Sequence, residues 1–244
     1  MDSPVIVGPV RTNEEAQRYL KKGADAISLL IEPHPNFAEH RVISIEAAHQ
    51  LRAVLAGIPV GVIVSRSKDF AGHVQMLRDL QPDFVDMHKG LINADLRREV
   101  LTTIDFEWLM SGVWMDYDED PSWLAASLDD VIKLESVHPQ RFIVSLLPSL
   151  KNGLRFLRFE AGEFEEDLVL EDIIQLTKNF PVMVNVGPEE VDLYDWFFLA
   201  LPINTGLAIY LSEHTTMEAG SPITVTPECG LEMLERWVKR KRKI

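Results

Sequence analysis

One cysteine, Cys229, is all that the 244 residues contain, which excludes an intramolecular disulfide framework. Long apolar runs are missing as well. None approaches the ~18 residues that a membrane span needs, and the opening MDSPVIVGPV has neither the charged flank nor the long apolar stretch of a secretory signal. A cytoplasmic chain without membrane contact is therefore expected. Positive charge is scarce, with 24 Lys and Arg against 38 Asp and Glu and a formal net charge of −14. Phosphate backbones need a basic surface, so nucleic-acid binding is not expected. The exception, the C-terminal KRKRKI, reads as a solvated helix end whose cations complement the helix dipole. Two further absences matter: no G-x-G-x-x-G fingerprint points to dinucleotide chemistry, and no linker rich in Gly, Ser or Pro divides the chain, so residues 1–244 are expected to form one domain.

What is present is a series of β-branched apolar segments bounded by turn residues. Strands are predicted at VIVG (5–8), DAISLLI (25–31), PVGVIVS (59–65), DFVDMH (83–88), FEWLMS (106–111), RFIVSLL (141–147), PVMVNV (181–186) and GLAIYLS (206–212). Their starts leave room for a helix in every gap, the pattern of repeated βα units. Thr12 followed by Glu15 is a capping-box arrangement, and Asp120-Pro121, Gly187-Pro188 and Thr226-Pro227 place proline where a first helical turn tolerates it. Phe70, Val74 and Leu77 give one helix an apolar stripe. Continuous apolar strands covered by such helices imply a parallel sheet buried on both faces. Eight of them imply an α/β fold of the closed (β/α)8 barrel type, with an open doubly wound sheet as the alternative.

Both architectures carry ligands at the carboxyl ends of their strands, so the residues there are the candidates. They are Gly8 and Arg11; Glu32 and His34; Ser65, Arg66 and Lys68; Asp86, His88 and Lys89; Ser111, Trp114 and Asp116; Ser149 and Lys151; Asn185; Glu213 and His214. The stretch DFVDMHKG (83–90) carries the densest chemistry, since alternation puts Phe84, Asp86 and His88 on one strand face. His49, His73 and His138 fall in helices or at helix ends and read as surface or packing residues. Of Trp108, Trp114 and Trp123, which could stack on a ligand, at least two are expected to fill space between strand and helix. Glu107 shares a face with Leu109 and Ser111 and would be a buried acid in need of a partner if that face is interior.

VIVG (5–8), GADAISLLI (23–31), VISIEAAHQL (42–51), PVGVIVS (59–65) and DFVDMHKG (83–90) together resemble phosphoribosylanthranilate isomerase, a (β/α)8 enzyme of tryptophan biosynthesis, over roughly residues 4 to 90. The resemblance implies the barrel. It implies a general-base cysteine on the first strand and a general-acid aspartate at the end of the sixth, where this chain has Val7 and Pro148. Neither side chain can move a proton. The family's phosphate cradle would fall on NVGPEE (185–190), which keeps Gly187, and on YLSEHTT (210–216), which has no glycine and places Glu213 there. The chain therefore reads as a relative with another task.

Three chemistries suit these residues. In the first, a small anionic metabolite, phosphorylated sugars included, is isomerised or cleaved without a cofactor. His88 is the general acid or base, Asp86 sets its tautomer, and Lys89 or Lys151 stabilises an oxyanion. Arg11, Glu32, His34, Arg66, Lys151, Asn185 and Glu213 would then surround the substrate. In the second, Glu32, His34, Asp86, His88, Glu213 and His214 supply ligands for a divalent metal in a hydrolase or lyase. The third is a catalytically silent barrel that binds a metabolite or forms a homo-oligomer. There Trp196, Phe197 and Phe198 are a helix buried against the barrel or, alternatively, an interface.

Overall fold

The computed structural model describes residues 3–34, 37–64, 70–89, 107–134, 138–164, 167–212 and 224–242. Its eight strands, β1 (Val5–Gly8), β2 (Ala26–Leu30), β3 (Val60–Val64), β4 (Phe84–His88), β5 (Glu107–Met115), β6 (Arg141–Leu146), β7 (Val182–Asn185) and β8 (Gly206–Tyr210), form one closed all-parallel barrel in sequence order. Val5, Ile6, Val7 and Gly8 pair with Leu207, Ala208, Ile209 and Tyr210, so the first strand meets the last and the open doubly wound alternative is excluded.

Around it lie α1 (Asn13–Leu20), α2 (Ile45–Val54), α3 (Phe70–Leu80), α4 (Pro121–Leu134), α5 (Gly153–Phe159), α6 (Leu170–Asn179), α7 (Val191–Ala200) and α8 (Pro227–Lys241). Thr12, Ser44 and Thr226 cap α1, α2 and α8 with their side-chain oxygens, and Pro121 and Pro227 sit in first turns as expected. Glu15 departs from the capping-box pattern, since its carboxylate accepts the N–H of Arg11 rather than that of Thr12. The Gly187-Pro188 expectation is corrected: α7 starts three residues later, with Glu190 as its cap, because the intervening loop is held by Tyr194.

Two apolar layers result from strand alternation. Outward residues such as Val7, Ile27, Val62, Val85 and Val144 pack with Val74, Leu77, Leu128, Ile173, Phe197, Phe198 and Trp237 of the helices. Inward residues Ile6, Ala26, Leu30, Ile63, Phe84, Leu109, Ile143, Met183, Ala208 and Tyr210 fill the barrel. Truncating a large member of either layer to Ala costs about 2–5 kcal/mol. Phe197 and Phe198 are buried, so their core reading holds, while Trp196 is only partly covered. The tryptophan expectation is corrected: only Trp108 is buried, whereas Trp114 is 37 % and Trp123 78 % exposed. The basic tail is mixed rather than wholly solvated. Arg240 is buried against Trp237 and donates to the carbonyls of Leu201 and Pro202, tying α8 to the end of α7.

Strand β5 is longer than predicted and irregular. Its pairing with β6 slips between Met110 and Val113, so one extra residue is accommodated there, and Gly112 takes φ +72°. Glu107 at its first position is exposed at the amino end of the barrel, not buried, and needs no partner.

Candidate active site

Alternation along β4 turns Asp86 and His88 into the barrel above Phe84, and both are buried. The neighbouring strand β5 places Leu109 and Ser111 in register with Asp86 and His88. From β8, Tyr210 points inward, and its hydroxyl donates to Asp86 Oδ2 at 2.6 Å. Asp86 Oδ1 makes no hydrogen bond of ordinary geometry. Burial pushes the Asp86 carboxyl up to about 6, against the opposing pull of the Ser111 and Tyr210 hydroxyls. The same burial, reinforced by the adjacent carboxylate, holds the Tyr210 phenol well above its ordinary range.

His88 lies next to this pair. Its imidazole is pressed down to about 4 by burial, so it is neutral at pH 7. The carboxylate expected to orient it is hydrogen-bonded to Tyr210 instead. A Cβ on Gly112 would come within 2.3 Å of His88 Cε1, so only glycine at the β5 irregularity leaves room for the ring. Over the cluster folds the loop after β2. His34 is buried 5.9 Å from His88 between ring centroids, in a T-shaped contact, and Phe37 meets the Tyr210 ring edge-on at 5.4 Å. Burial first, and then the neighbouring His88, lower the His34 pKa to about 3. Arg41 anchors the far end of this loop: it is fully buried, donates to the Pro9 carbonyl and pairs with Glu15 at 2.6 Å.

The structure thus gathers His34, Asp86, His88 and Ser111 of the sequence candidates. Asn185 is buried nearby on β7, its amide donating to Ser145 of β6 at 3.4 Å. Glu32 is half-buried on the covering loop. Other candidates stand apart. Lys89 is exposed and its Nζ donates to Ser127 on α4, Arg11 lies beside Glu15, and Lys151 is exposed before α5. Asp116 accepts from Ser149, and Trp114, in register with Ser145, lies on the mouth side of β5. Ser65, Arg66, Lys68, Glu213 and His214 lie outside the described residues. His49 and His138 are exposed.

Tyr210, Ser145 and Phe37 were missed. The signal for the first was in plain view, since Ala208 and Tyr210 share the inward face of a strand opposite β4. Among the described residues no group of three metal-ligating side chains converges. The loop after β7, where the resemblance would put a phosphate, is filled by protein groups. Glu189 accepts the Leu154 N–H at 2.7 Å, and Tyr194 bridges the Glu189 N–H, the Gly187 carbonyl and Cys229. Burial lifts the Glu189 carboxyl to about 7, despite the N–H groups of Leu154 and Arg155 that favour its charge.

No family model matches the chain, and no curated protein matches it. Solved structures do. N-(5'-phosphoribosyl)anthranilate isomerase from Pyrococcus furiosus aligns with 99% of this chain and 100% of its own at TM-score 0.63 and 14% identity. The phosphoribosylanthranilate isomerase from Thermotoga maritima follows at 0.62 and 12%, again over 99% and 100%. A type I 3-dehydroquinate dehydratase from Clostridium difficile aligns over 98% and 93% at 0.57 and 9%. The chain has the barrel fold of the phosphoribosylanthranilate isomerases, and the likeness extends along its whole length.

Proposed function

We propose that this chain is a metabolic enzyme of the isomerase or lyase type that moves a proton on a small anionic metabolite, phosphorylated sugars among the candidates, at the carboxyl end of the barrel and without a cofactor. The observation that carries this reading is the buried Asp86–Tyr210 hydrogen bond beside His88. A carboxyl with a pKa of about 6 changes protonation near neutrality, where a proton carrier is most effective. Asp86 therefore takes over the proton-carrying role that the sequence suggested for His88. The neutral imidazole of His88, with Ser111 and Asn185, is suited to donate hydrogen bonds to substrate oxygens. Lys89, Lys151 and Arg11 would draw an anion to the rim.

A thermal-shift screen of phosphorylated sugars, small carboxylic acids and divalent metals tests this. A native-state ligand at one hundred times its dissociation constant stabilises by about 2.7 kcal/mol. Anionic hits that weaken in Asp86→Asn and His88→Ala support the reading, and hits indifferent to both variants sink it. A second reading, the catalytically silent barrel, is favoured by the cover of His34 and Phe37 on the acid. It predicts that Asp86→Asn with Tyr210→Phe binds everything the natural chain binds. Stabilisation by metals alone would favour the metal-dependent alternative.

A further inference from the structure

Phe197 and Phe198 are buried under α7, but Trp196 beside them reaches the surface, and it does not stand there alone. Helix α5 packs next to α7, and Phe159 in its last turn is 62 % exposed. The Arg158 guanidinium lies against both rings, 5.0 Å from the Phe159 centroid and 5.5 Å from that of Trp196. Leu199, three residues on from Trp196 and so on the same side of α7, is 46 % exposed. The two helices thus present one continuous row of two aromatic rings and a leucine to solvent, and a contiguous exposed apolar patch of this kind marks an interaction surface.

The charges around the row say what fits it. Helix α5 exposes Arg155 and Arg158, and α7 opens with Glu190 and Asp192, also exposed. Within the chain these groups meet only loosely. Arg155 stands 3.9 Å from Glu190 and Arg158 3.9 Å from Asp192, solvated pairs that are given up at little cost. Asp195, further along α7, is taken up by Arg236 and Lys239 of α8. A chain with a net charge of −14 repels its own copies, so close approach needs a face on which charge cancels. Here two cations on one helix balance two anions on its neighbour. A two-fold axis running between and along α5 and α7 sets α5 of one copy on α7 of the other, so each pair of cations meets the opposite carboxylates while the apolar rows meet between them. An anionic membrane or a nucleic acid would instead meet Glu190 and Asp192, and a hydrocarbon phase would desolvate all four charges without compensation.

We propose that the α5–α7 face is an interface between two copies of this chain, closed about such a two-fold axis. Two aromatic side chains of about 150–250 Å² each and a leucine cover less than the roughly 800 Å² per partner of a standard interface, so the pair is reversible and dissociates in the micromolar range. Sedimentation velocity from about 5 to 500 µM tests it, and the mean mass should move from that of one chain toward twice that. Phe159→Ser and Leu199→Ser, changes at exposed positions checked for an unaltered thermal transition, should each raise the dissociation constant at least about tenfold. The symmetry supplies a sharper readout. Arg158→Glu and Asp192→Arg should each weaken self-association, because like charges then face one another twice, whereas a mixture of the two variants restores both pairs. Native mass spectrometry of that mixture should therefore show the mixed dimer in clear excess over either pure one. The proposal fails if the chain stays monomeric at about 500 µM, with or without binding to anionic lipid vesicles, if it pairs with undiminished strength in Phe159→Ser and Leu199→Ser, or if the mixed dimer shows no excess.

Discussion

Tyr210 and Asp86 show how a single hydrogen bond sets the character of a buried acid. The phenol stabilises the ionised carboxylate, so Tyr210→Phe should raise the Asp86 pKa above its present value of about 6. It should also destabilise the fold by about 1–3 kcal/mol at neutral pH, where a buried oxygen loses its donor. The loss should shrink below pH 5, where the carboxyl is neutral. A 13C titration of the Asp86 carboxyl together with urea unfolding at pH 5 and 7.5 would check both effects, and an unmoved titration would count against the account. Gly112 is the second residue on which the site turns. Gly112→Ala imposes a side chain at positive φ and drives its Cβ into the His88 ring, so a loss of about 1–3 kcal/mol is expected. His88 resonances should move as well, whereas strain alone would leave them in place.

At the scale of elements, the cover is a loop with one short 3-10 turn, Glu39–Arg41, held by the buried Arg41 at one end and by ring contacts at the other. Phe37→Ala would remove the contact on Tyr210 and admit water beside His34. The His34 pKa should then climb from about 3 toward the ordinary histidine value, a change readable by two-dimensional NMR of the imidazole, while the barrel strands keep their amide protection. This element also marks where the sequence stopped being legible. The eight strands were readable because parallel strands buried on both faces are continuous apolar runs, and their bounds came within a few residues everywhere except β5. There the extra residue at Gly112 breaks the period of two, and no local pattern announces it. His34, Asp86 and His88 were legible as carboxyl-end residues. Their partners were not: Phe37 reaches Tyr210 only through tertiary folding, and Tyr210 stands 124 positions from Asp86. Trp123 misled for the same reason, because helix propensity does not say which face lies outward.

At the scale of the whole molecule, four ionisable groups among the described residues carry large shifts that bear on the response to acid. Asp86 and Glu189 have folded pKa values raised to about 6 and 7, so between about pH 4.5 and 6 the native state holds protons that the unfolded chain has released. Each lowers stability as pH rises, Glu189 with less weight because it is half-exposed. His34 and His88, depressed to about 3 and 4, act oppositely: the unfolded chain binds protons that they refuse, so each adds stability as pH rises toward 6.5. The pairs oppose one another, and the natural chain should change by no more than about 1 kcal/mol from these groups across that window. Asp86→Asn unbalances them, and its unfolding free energy should rise with pH by up to about 1.4 kcal/mol per unit. Denaturant curves at three pH values would decide, with a flat variant as the contrary result. The apolar interior that runs from Ile6 and Met183 up to Tyr210 has one more consequence. Hydrocarbon walls off the Asp86 proton from below, and His34 and Phe37 stand over it from above. How often that proton trades places with bulk solvent is then a matter of how often the cover lifts, so a property usually treated as an equilibrium becomes, for this carboxyl, a clock on the loop.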